Sequence, residues 1–297
     1  MSDRARGAQS PGAMSDLLDC LGVGGRWPRR LVPLAIWFGF GAAMVGVVAV
    51  QACVEWAVGV PAVGIVCAAV VMWGVWSIWH SHLFGKHREA ILAAALEYPY
   101  RRAFFQDIFP GITIGFSQML RPAWNGQNLR AGLFPRLPGT ASAWLVQSAG
   151  LVVLLGSAVL FVGAWRVLGA ARVGFASEFR DPDLFEPVQR GPYGRVRHPL
   201  FWSGIGVSWS FALLAPTTAG MALAVVNTLY GLVYNVLEDR RLAKVLGDRY
   251  TDYSRQVPWI IPARRSPESR DSHHPHHLRN SYGSCLEASA QLQDREV

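Results

Sequence analysis

Residues 200–237 of this chain have the sequence LFWSGIGVSWSFALLAPTTAGMALAVVNTLYGLVYNVL, which contains no charged residue. The stretch divides at Ala215-Pro216-Thr217, because proline lacks a backbone donor and favours a turn. This leaves two apolar segments, residues 200–214 and 218–237, and a helix needs about 20 mostly apolar residues to cross the hydrocarbon of a bilayer. The stretch therefore predicts a helical hairpin in a membrane, with both of its ends at the same bilayer face.

Other apolar runs extend this interpretation to the rest of the chain. Three strong runs lie upstream, at residues 31–51, 58–79 and 143–168. A weaker run, residues 103–120, includes polar side chains such as Asp107 and Gln118 and could instead lie at the interface. We therefore predict an all-α, polytopic membrane bundle of five to six transmembrane helices.

The distribution of basic residues orients the bundle. Lys and Arg are concentrated in four segments between or beyond the apolar runs, residues 1–30, 80–102, 170–198 and 238–265. Cytoplasmic loops of membrane proteins carry such a positive excess. Counting residues 103–120 as a span places all four segments on one side, so we favour six spans with both termini in the cytoplasm.

Overall composition agrees with an integral, multi-pass membrane protein in contact with lipids. The chain has 297 residues, of which 51% are hydrophobic and 16% are charged, whereas about a quarter are charged in soluble domains. The formal net charge is +8, but the basic residues alternate with apolar runs, so we expect no nucleic-acid partner. The four cysteines form no C-x-x-C pair, which argues against a disulfide framework and a zinc site.

The two ends of the chain have a different composition. Residues 1–30 are rich in arginine and lack the apolar stretch of a signal peptide, so they predict a mobile basic leader. Residues 263–297 are polar and predict a disordered tail. The tail contains the tract His273-His274-Pro275-His276-His277, which we expect to be solvated, and we predict no metal site.

The first cluster of unusual residues directly precedes the hairpin. It is Gly191-Pro192-Tyr193-Gly194-Arg195-Val196-Arg197-His198-Pro199, and its proline suits the first turn of a helix. A basic loop anchored at lipid phosphates is the simpler interpretation of Arg195. For Arg197 and His198 together, we favour a functional site at the membrane surface.

The second cluster, Glu238-Asp239-Arg240-Arg241, follows the hairpin directly. The hairpin returns the chain to its starting face, so Glu238 and His198 can be neighbours although 40 residues separate them in sequence. The alternative is simple helix termination, with the carboxylates solvated or paired with the two arginines. Residues 242–257 are amphipathic and predict a C-terminal interfacial helix with aromatic side chains at headgroup depth, which could cap a cofactor pocket.

In this order, the two clusters resemble the isoprenylcysteine carboxyl methyltransferase family. That family belongs to a wider group with bacterial phospholipid and methanethiol methyltransferases. The resemblance is carried by Gly191-Pro192-Tyr193, Val196-Arg197-His198-Pro199-Leu200-Phe201, Glu238-Asp239, Leu242, Gly247, Tyr250, Tyr253, Val257-Pro258 and Ile261-Pro262. It implies a membrane methyltransferase that uses S-adenosylmethionine and acts on a lipophilic or small acceptor with a carboxylate, thiol or amine.

The resemblance also implies roles for individual residues. The expected cofactor-binding residues are Tyr193, Arg197, His198, Pro199, Glu238 and Asp239. The expected catalytic residues are His198, Arg197 and Glu238. Residues 169–262 then form the cofactor-binding methyltransferase core, and residues 31–168 form the N-terminal transmembrane helices.

Some positions depart from the family pattern or match only one branch of it. The family usually has tyrosine at Phe201, glycine at Ser203 and a second glutamate at Asp239. These changes put the acceptor in doubt more than they do cofactor binding. His80, at the end of the second apolar run, resembles the bacterial thiol-methylating and NnrU-like branch.

The chemistry of the cofactor matches these residue types. S-adenosylmethionine presents an ammonium, a carboxylate, ribose hydroxyls and a sulfonium. Glu238 suits the ammonium or the ribose, and Arg197 suits the carboxylate through a charge-assisted bond. An ionised acceptor needs no general base, whereas for a thiol or amine His198 is the best-placed proton acceptor.

Two other functions remain open at this point. A membrane reductase of the sterol reductase type also has an arginine-histidine-proline segment before a helix and binds NADPH. Such proteins continue with asparagine-tyrosine and a nearby acid, whereas Leu200-Phe201 follows here. A non-catalytic membrane protein is the third possibility, suggested by Phe201 and Ser203, and the oligomeric state stays open.

Overall fold

The protein is described by a computed structural model, which defines residues 14–94, 97–131, 140–179 and 186–259. Within these ranges the secondary structure is helical and includes no strand. The predicted polar tail, residues 263–297, lies outside the described residues, as do Ile261 and Pro262 of the second motif.

Twelve α-helices occur in the described part of the chain. In order they are α1 Met14–Cys20, α2 Arg26–Val58, α3 Ala62–His82, α4 Arg88–Ala93, α5 Pro99–Ala103, α6 Phe109–Leu120, α7 Gly126–Ala131, α8 Ala141–Leu168, α9 Ala170–Val173, α10 Pro199–Leu214, α11 Thr218–Leu246 and α12 Asp248–Gln256. Two π-helical segments continue α3 into α4 and α5 into α6, at Leu83–His87 and Phe104–Ile108. Short 3₁₀ turns form at Ala176–Phe179 and Gly191–Gly194.

Four helices in the described ranges are long and apolar enough to cross a membrane. They are Arg30–Val58, Ala62–Ala93, Ala141–Leu168 and Thr218–Leu246. Large apolar side chains on these helices face outward, and Leu145, for example, is 74% exposed, as expected for a surface in contact with lipid. The all-α, polytopic membrane fold is therefore confirmed.

Two predicted spans differ from these four. Helix α10 has 16 residues, which corresponds to about 24 Å at 1.5 Å per residue. The weak run at residues 103–120 lies within the continuous helical stretch from α5 to α6. The number of five to six spans and the cytoplasmic position of both termini therefore remain predictions.

The predicted hairpin is formed by α10 and α11. Helix α11 begins after Pro216, where the Thr217 hydroxyl caps it by accepting a hydrogen bond from the backbone N–H of Gly220 at 3.1 Å. Helix α10 packs against both α8 and α11. A Cβ atom at Gly206 would lie 2.1 Å from Ser157 Oγ on α8, so glycine is what permits this close approach.

Polar side chains connect the helices inside the bundle. The Asn227 amide accepts from Trp73 Nε1 at 2.9 Å and donates to Ser208 Oγ at 2.8 Å. At the opposite end from the two motifs, the buried Arg121 guanidinium pairs with Glu55. The Asn227 contacts join α3 to the α10–α11 hairpin, and the Arg121–Glu55 pair joins α2 to the end of α6.

The start of the described chain differs from the predicted mobile leader. Residues 14–20 form α1, and Leu17, Leu18 and Leu21 are each less than 5% exposed. Leu17 and Leu21 are one turn apart and pack into a cluster that includes Tyr100. This apolar face is too short to give a hydropathy signal, which is why the composition of residues 1–30 indicated only a leader.

Candidate functional site

The two motifs lie at the base of the hairpin. Pro199 occupies the first turn of α10, directly after the turn that carries Arg197 and His198. Helix α11 continues to Leu246, well past the end of its apolar run, and therefore carries Glu238 and Asp239 on regular helix. Adjacent helical residues point about 100° apart, so these two carboxylates face different partners.

Asp239 is the carboxylate that joins the two motifs. His198 Nε2 lies 2.6 Å from Asp239 Oδ1, and Arg197 Nη1 donates to Asp239 Oδ2 at 2.6 Å. The Tyr250 hydroxyl also donates to Asp239 Oδ1. Three donors from two separate segments thus converge on one side chain, which fixes the orientation of both His198 and Arg197.

Glu238 has a different set of contacts. Arg241 donates to it twice, through Nε at 2.9 Å and through Nη2 at 2.5 Å. Arg241 Nη1 also lies 2.5 Å from Glu178 Oε1, so one guanidinium connects two carboxylates. Among the described residues, Glu238 makes no hydrogen bond to His198, and its pairing with Arg241 corresponds to one of the alternatives weighed from the sequence.

A cavity of about 240 Å³ lies between these two groups. Its polar lining includes Arg172, Glu178, Tyr193, Arg197, His198, Glu238, Arg241, Tyr250 and Tyr253. Pro199 and Asp239 are not part of the lining. Four of the six expected cofactor-binding residues therefore line this cavity, while Asp239 contacts Arg197 and His198 from behind and Pro199 begins the helix.

An aromatic wall completes the cavity beside Glu238. Phe201 stacks on Tyr234 with ring centroids 4.3 Å apart, and Trp76 lies against Tyr234 at 5.0 Å. The Tyr234 hydroxyl donates to Glu238 Oε2 at 3.4 Å and lies 3.2 Å from His80 Nε2. Phe201 thus keeps the ring of the family's tyrosine, and His80 contacts the site through Tyr234.

Helix α12 closes the site from the outside. Tyr250 and Tyr253 are 4% and 3% exposed, and the Tyr253 hydroxyl donates to the backbone carbonyl of Tyr193 at 3.0 Å. Burial raises the pKa of Tyr193, Tyr250 and Tyr253 well above the ordinary range of tyrosine, so these phenols stay neutral donors. The two α12 tyrosines are therefore buried capping residues, and the depth of this helix at the headgroups stays a prediction.

Glu178 is a charged site residue that the sequence did not indicate, as is Arg172. Glu178 lies in a 3₁₀ turn, 60 residues before Glu238, and is 8% exposed. No motif surrounds it, and its role depends on Arg241 reaching back from α11. Both the burial of Glu178 and its position opposite Arg241 depend on the fold. Neither can be recognised from the sequence.

Comparisons with known proteins place the site in context. The sequence model of the phospholipid methyltransferase family matches residues 145–249, which include α10, α11, the first motif and the Glu238-Asp239 pair of the second. The methanethiol S-methyltransferase of Crocosphaera subtropica is 25% identical over 189 residues, which is 64% of this chain and 71% of that protein. Methanethiol S-methyltransferase 2 of Bradyrhizobium diazoefficiens is 38% identical over 102 residues, which is 33% of this chain and 39% of that protein.

A third relative covers more of the chain at lower identity. The methanethiol S-methyltransferase of Mycobacterium tuberculosis is 23% identical over 227 residues, which is 76% of this chain and 89% of that protein. No solved structure matches the chain. The matches fit the wider group of membrane methyltransferases that the two motifs resemble, and they support a membrane methyltransferase.

Proposed function

We propose that this membrane methyltransferase takes its methyl group from S-adenosylmethionine bound in the cavity between the two motifs. The single observation that carries the proposal is that Arg197, His198 and Glu238, which come from both motifs, line one cavity of about 240 Å³. The acceptor is a lipophilic or small molecule with a thiol, amine or carboxylate. The relatives are named methanethiol S-methyltransferases, so a thiol is the first acceptor to test.

The charges of the cavity suit the ends of this cofactor. Glu178, Glu238 and Arg241 together carry one net negative charge, which favours a cationic ammonium or sulfonium. The rings of Trp76 and Tyr234 lie beside Glu238, and aromatic faces attract cations within about 6 Å. On the opposite wall, Arg197 Nε is buried and bonds to no described residue, so it is a donor that a carboxylate could use.

The size of the cavity limits what it can enclose. Sites for drug-sized ligands usually have volumes of about 300–1,000 Å³, and this cavity has about 240 Å³. We therefore propose that it holds the charged methionine end and the sulfonium, with the rest of the cofactor toward the opening. When bound, S-adenosylmethionine supplies a methyl group on a positively charged sulfur.

His198 and Asp239 supply the acid–base chemistry in this proposal. With Nε2–H donating to Asp239, the lone pair of His198 is on Nδ1, which bonds to no described residue. A neutral thiol or amine can lose its proton to that nitrogen as it is methylated. Asp239, first assigned to the cofactor, is thus a positioning residue that sets the tautomer of His198 and the orientation of Arg197.

Isothermal titration of the purified protein with S-adenosylhomocysteine and with NADPH tests the proposal against the reductase alternative. We expect S-adenosylhomocysteine to bind and NADPH not to bind. Arg197→Ala should weaken binding of S-adenosylhomocysteine, whereas Arg255→Ala is the matched control, because Arg255 is 74% exposed and outside the cavity. Binding of NADPH alone, or of neither ligand, would contradict the proposal.

A further inference from the structure

A second cavity adjoins the first, and we propose that it binds the hydrocarbon chain of the methyl acceptor. The proposal rests on the proposed function and makes it more specific: the acceptor is an amphiphile with a long apolar tail. The cavity has a volume of about 370 Å³. Its lining comes from α1, α2, α6, α8 and α10, together with neighbouring segments.

The lining of this second cavity is almost entirely apolar. It includes the aromatic residues Trp37, Phe40, Phe104, Phe109, Phe116, Phe161 and Trp165, and the methionines Met14, Met44 and Met119. Ser203 carries the one hydroxyl of the lining, and that hydroxyl already donates to the carbonyl of Leu200 at 2.6 Å. Apolar cavities of this kind exclude water and bind apolar ligands, so the chemistry of the wall specifies a hydrocarbon.

The second cavity shares part of its lining with the proposed cofactor cavity. Ile112, Phe116, Val173 and Leu200 line both of them. Leu200 lies two residues after His198, in the first turn of α10. A molecule with its tail in the second cavity therefore has its polar head at this shared wall, on the side of His198.

The volume of the second cavity argues against the smallest acceptors as its occupants. An apolar cavity of about 150 Å³ already admits benzene, and this cavity has about 370 Å³. A thiol with one carbon would leave most of the wall without contacts, and those lost contacts carry the binding energy. The long-chain acceptor proposed for this protein is therefore larger than methanethiol, the one-carbon thiol after which the relatives are named.

The membrane gives such an acceptor a route into the site. Trp37 belongs to the cavity lining and is 41% exposed, so it marks the rim on the side of α2, a helix whose outer face is apolar. A lipid chain that fills the cavity without taking part in the reaction is the competing occupant, and the experiment must separate it from an acceptor.

Two glycines allow the second cavity to be filled selectively. Gly41 on α2 has no atom within 4 Å of an added Cβ, and at Gly204 on α10 the nearest atom is Met119 Cγ at 3.7 Å. Both line the second cavity and neither lines the first, so Gly41→Leu and Gly204→Leu place side chains where the acceptor tail would lie. Gly46→Leu is the matched control, because Gly46 is also on α2 with open space, outside both cavities.

The first measurement compares turnover of alkanethiols with one to twelve carbons. We expect kcat/KM to rise with chain length in the wild type and in Gly46→Leu. In Gly41→Leu, the ratio of kcat/KM for dodecanethiol to that for methanethiol should fall about tenfold or more, because each buried methylene contributes to binding. Each alkanethiol partitions into detergent to the same extent whichever variant is present. A difference between variants therefore reports the effect of the cavity alone.

The second measurement is independent of turnover. At saturating S-adenosylhomocysteine, methyl dodecyl sulfide should bind the wild type and Gly46→Leu, and bind Gly41→Leu at least about tenfold more weakly. The proposal is overturned if Gly41→Leu and Gly46→Leu bind methyl dodecyl sulfide with equal affinity, or if kcat/KM does not rise with chain length. Either result leaves a bystander lipid as the occupant. Failure of the wild type to bind S-adenosylhomocysteine would instead refute the proposed function, so the two failures are distinguishable.

Discussion

His198 Nε2 and Asp239 Oδ1 lie 2.6 Å apart, although the two residues are 41 positions apart in sequence. The contact joins the residue before α10 to the part of α11 that extends beyond the apolar run. Asp239 stands where the related family usually has glutamate, and its shorter side chain still reaches both Arg197 and His198. The tautomer of His198 is therefore set by a residue of the other motif.

Replacing Asp239 should impair proton transfer more than cofactor binding. In Asp239→Asn, the amide can donate to His198 and no longer fixes Nδ1 as the acceptor, so we expect kcat/KM for a thiol to fall about 100-fold or more. Asp239→Glu restores the carboxylate and should recover most of the activity. Initial rates with labelled S-adenosylmethionine, beside titration with S-adenosylhomocysteine, measure both effects. Wild-type rates in Asp239→Asn would remove the positioning role.

His198→Ala should abolish methyl transfer to a neutral acceptor, because the side chain that accepts the proton is gone. The variant should remain folded in detergent, since Asp239 keeps its bonds to Arg197 and Tyr250. Gel filtration and circular dichroism check the fold, and transfer of the labelled methyl group checks the activity. Full activity in this variant would falsify the assignment of His198.

Glu238 should matter for binding of the cofactor. Glu238→Gln removes the net negative charge around Arg241, and charge-assisted hydrogen bonds contribute about 1.5–3 kcal/mol. We expect affinity for S-adenosylhomocysteine to fall about tenfold or more, together with methyl transfer. Asp252→Asn is the control, because that carboxylate also pairs with an arginine but is 64% exposed. If both variants bind equally well, Glu238 has no part in the site.

The buried Arg121–Glu55 ion pair, at the end of the bundle opposite the two motifs, should contribute to the free energy of unfolding. Arg121 is 1% exposed and pairs with Glu55, whose carboxylate also accepts from the backbone N–H of Gly126 at 3.0 Å. Glu55→Ala leaves the guanidinium buried with no anionic partner, although it still donates to Gln51 Oε1 at 2.9 Å, and loss of one partner of a buried ion pair costs about 3–5 kcal/mol. Thermal unfolding in detergent measures the loss, and Asp252→Ala should change it by less than about 1 kcal/mol. Similar melting temperatures would show that the pair does not hold α2 in place.

Labelling of single cysteines tests the predicted orientation. In a background without the four native cysteines, Arg195→Cys and Arg255→Cys should react with a membrane-impermeant reagent from the cytoplasmic side only. Ala57→Cys, at the end of α2, should react from the other side. Reaction of Arg195→Cys and Arg255→Cys from opposite sides would exclude the six-span arrangement.

Much of the fold follows from the sequence alone. Apolar runs, the Pro216 turn and the distribution of arginines are local signals, and they predict the helices and the return of the chain to one face. The two motifs could be located for the same reason, since each lies where an apolar run begins or ends. Local signals could not place α1 in the fold, because Leu17 and Leu21 bury only one short face.

The pairing of individual side chains was decided by the tertiary structure. Glu238 and Asp239 are neighbours in sequence, but the helix turns them toward different partners, so Asp239 binds His198 while Glu238 binds Arg241. Glu178 and the tyrosines of α12 join the site only because distant segments pack there. Hydropathy and motif order determine which segments meet; the rotation of each helix and the packing of its neighbours determine which atoms touch.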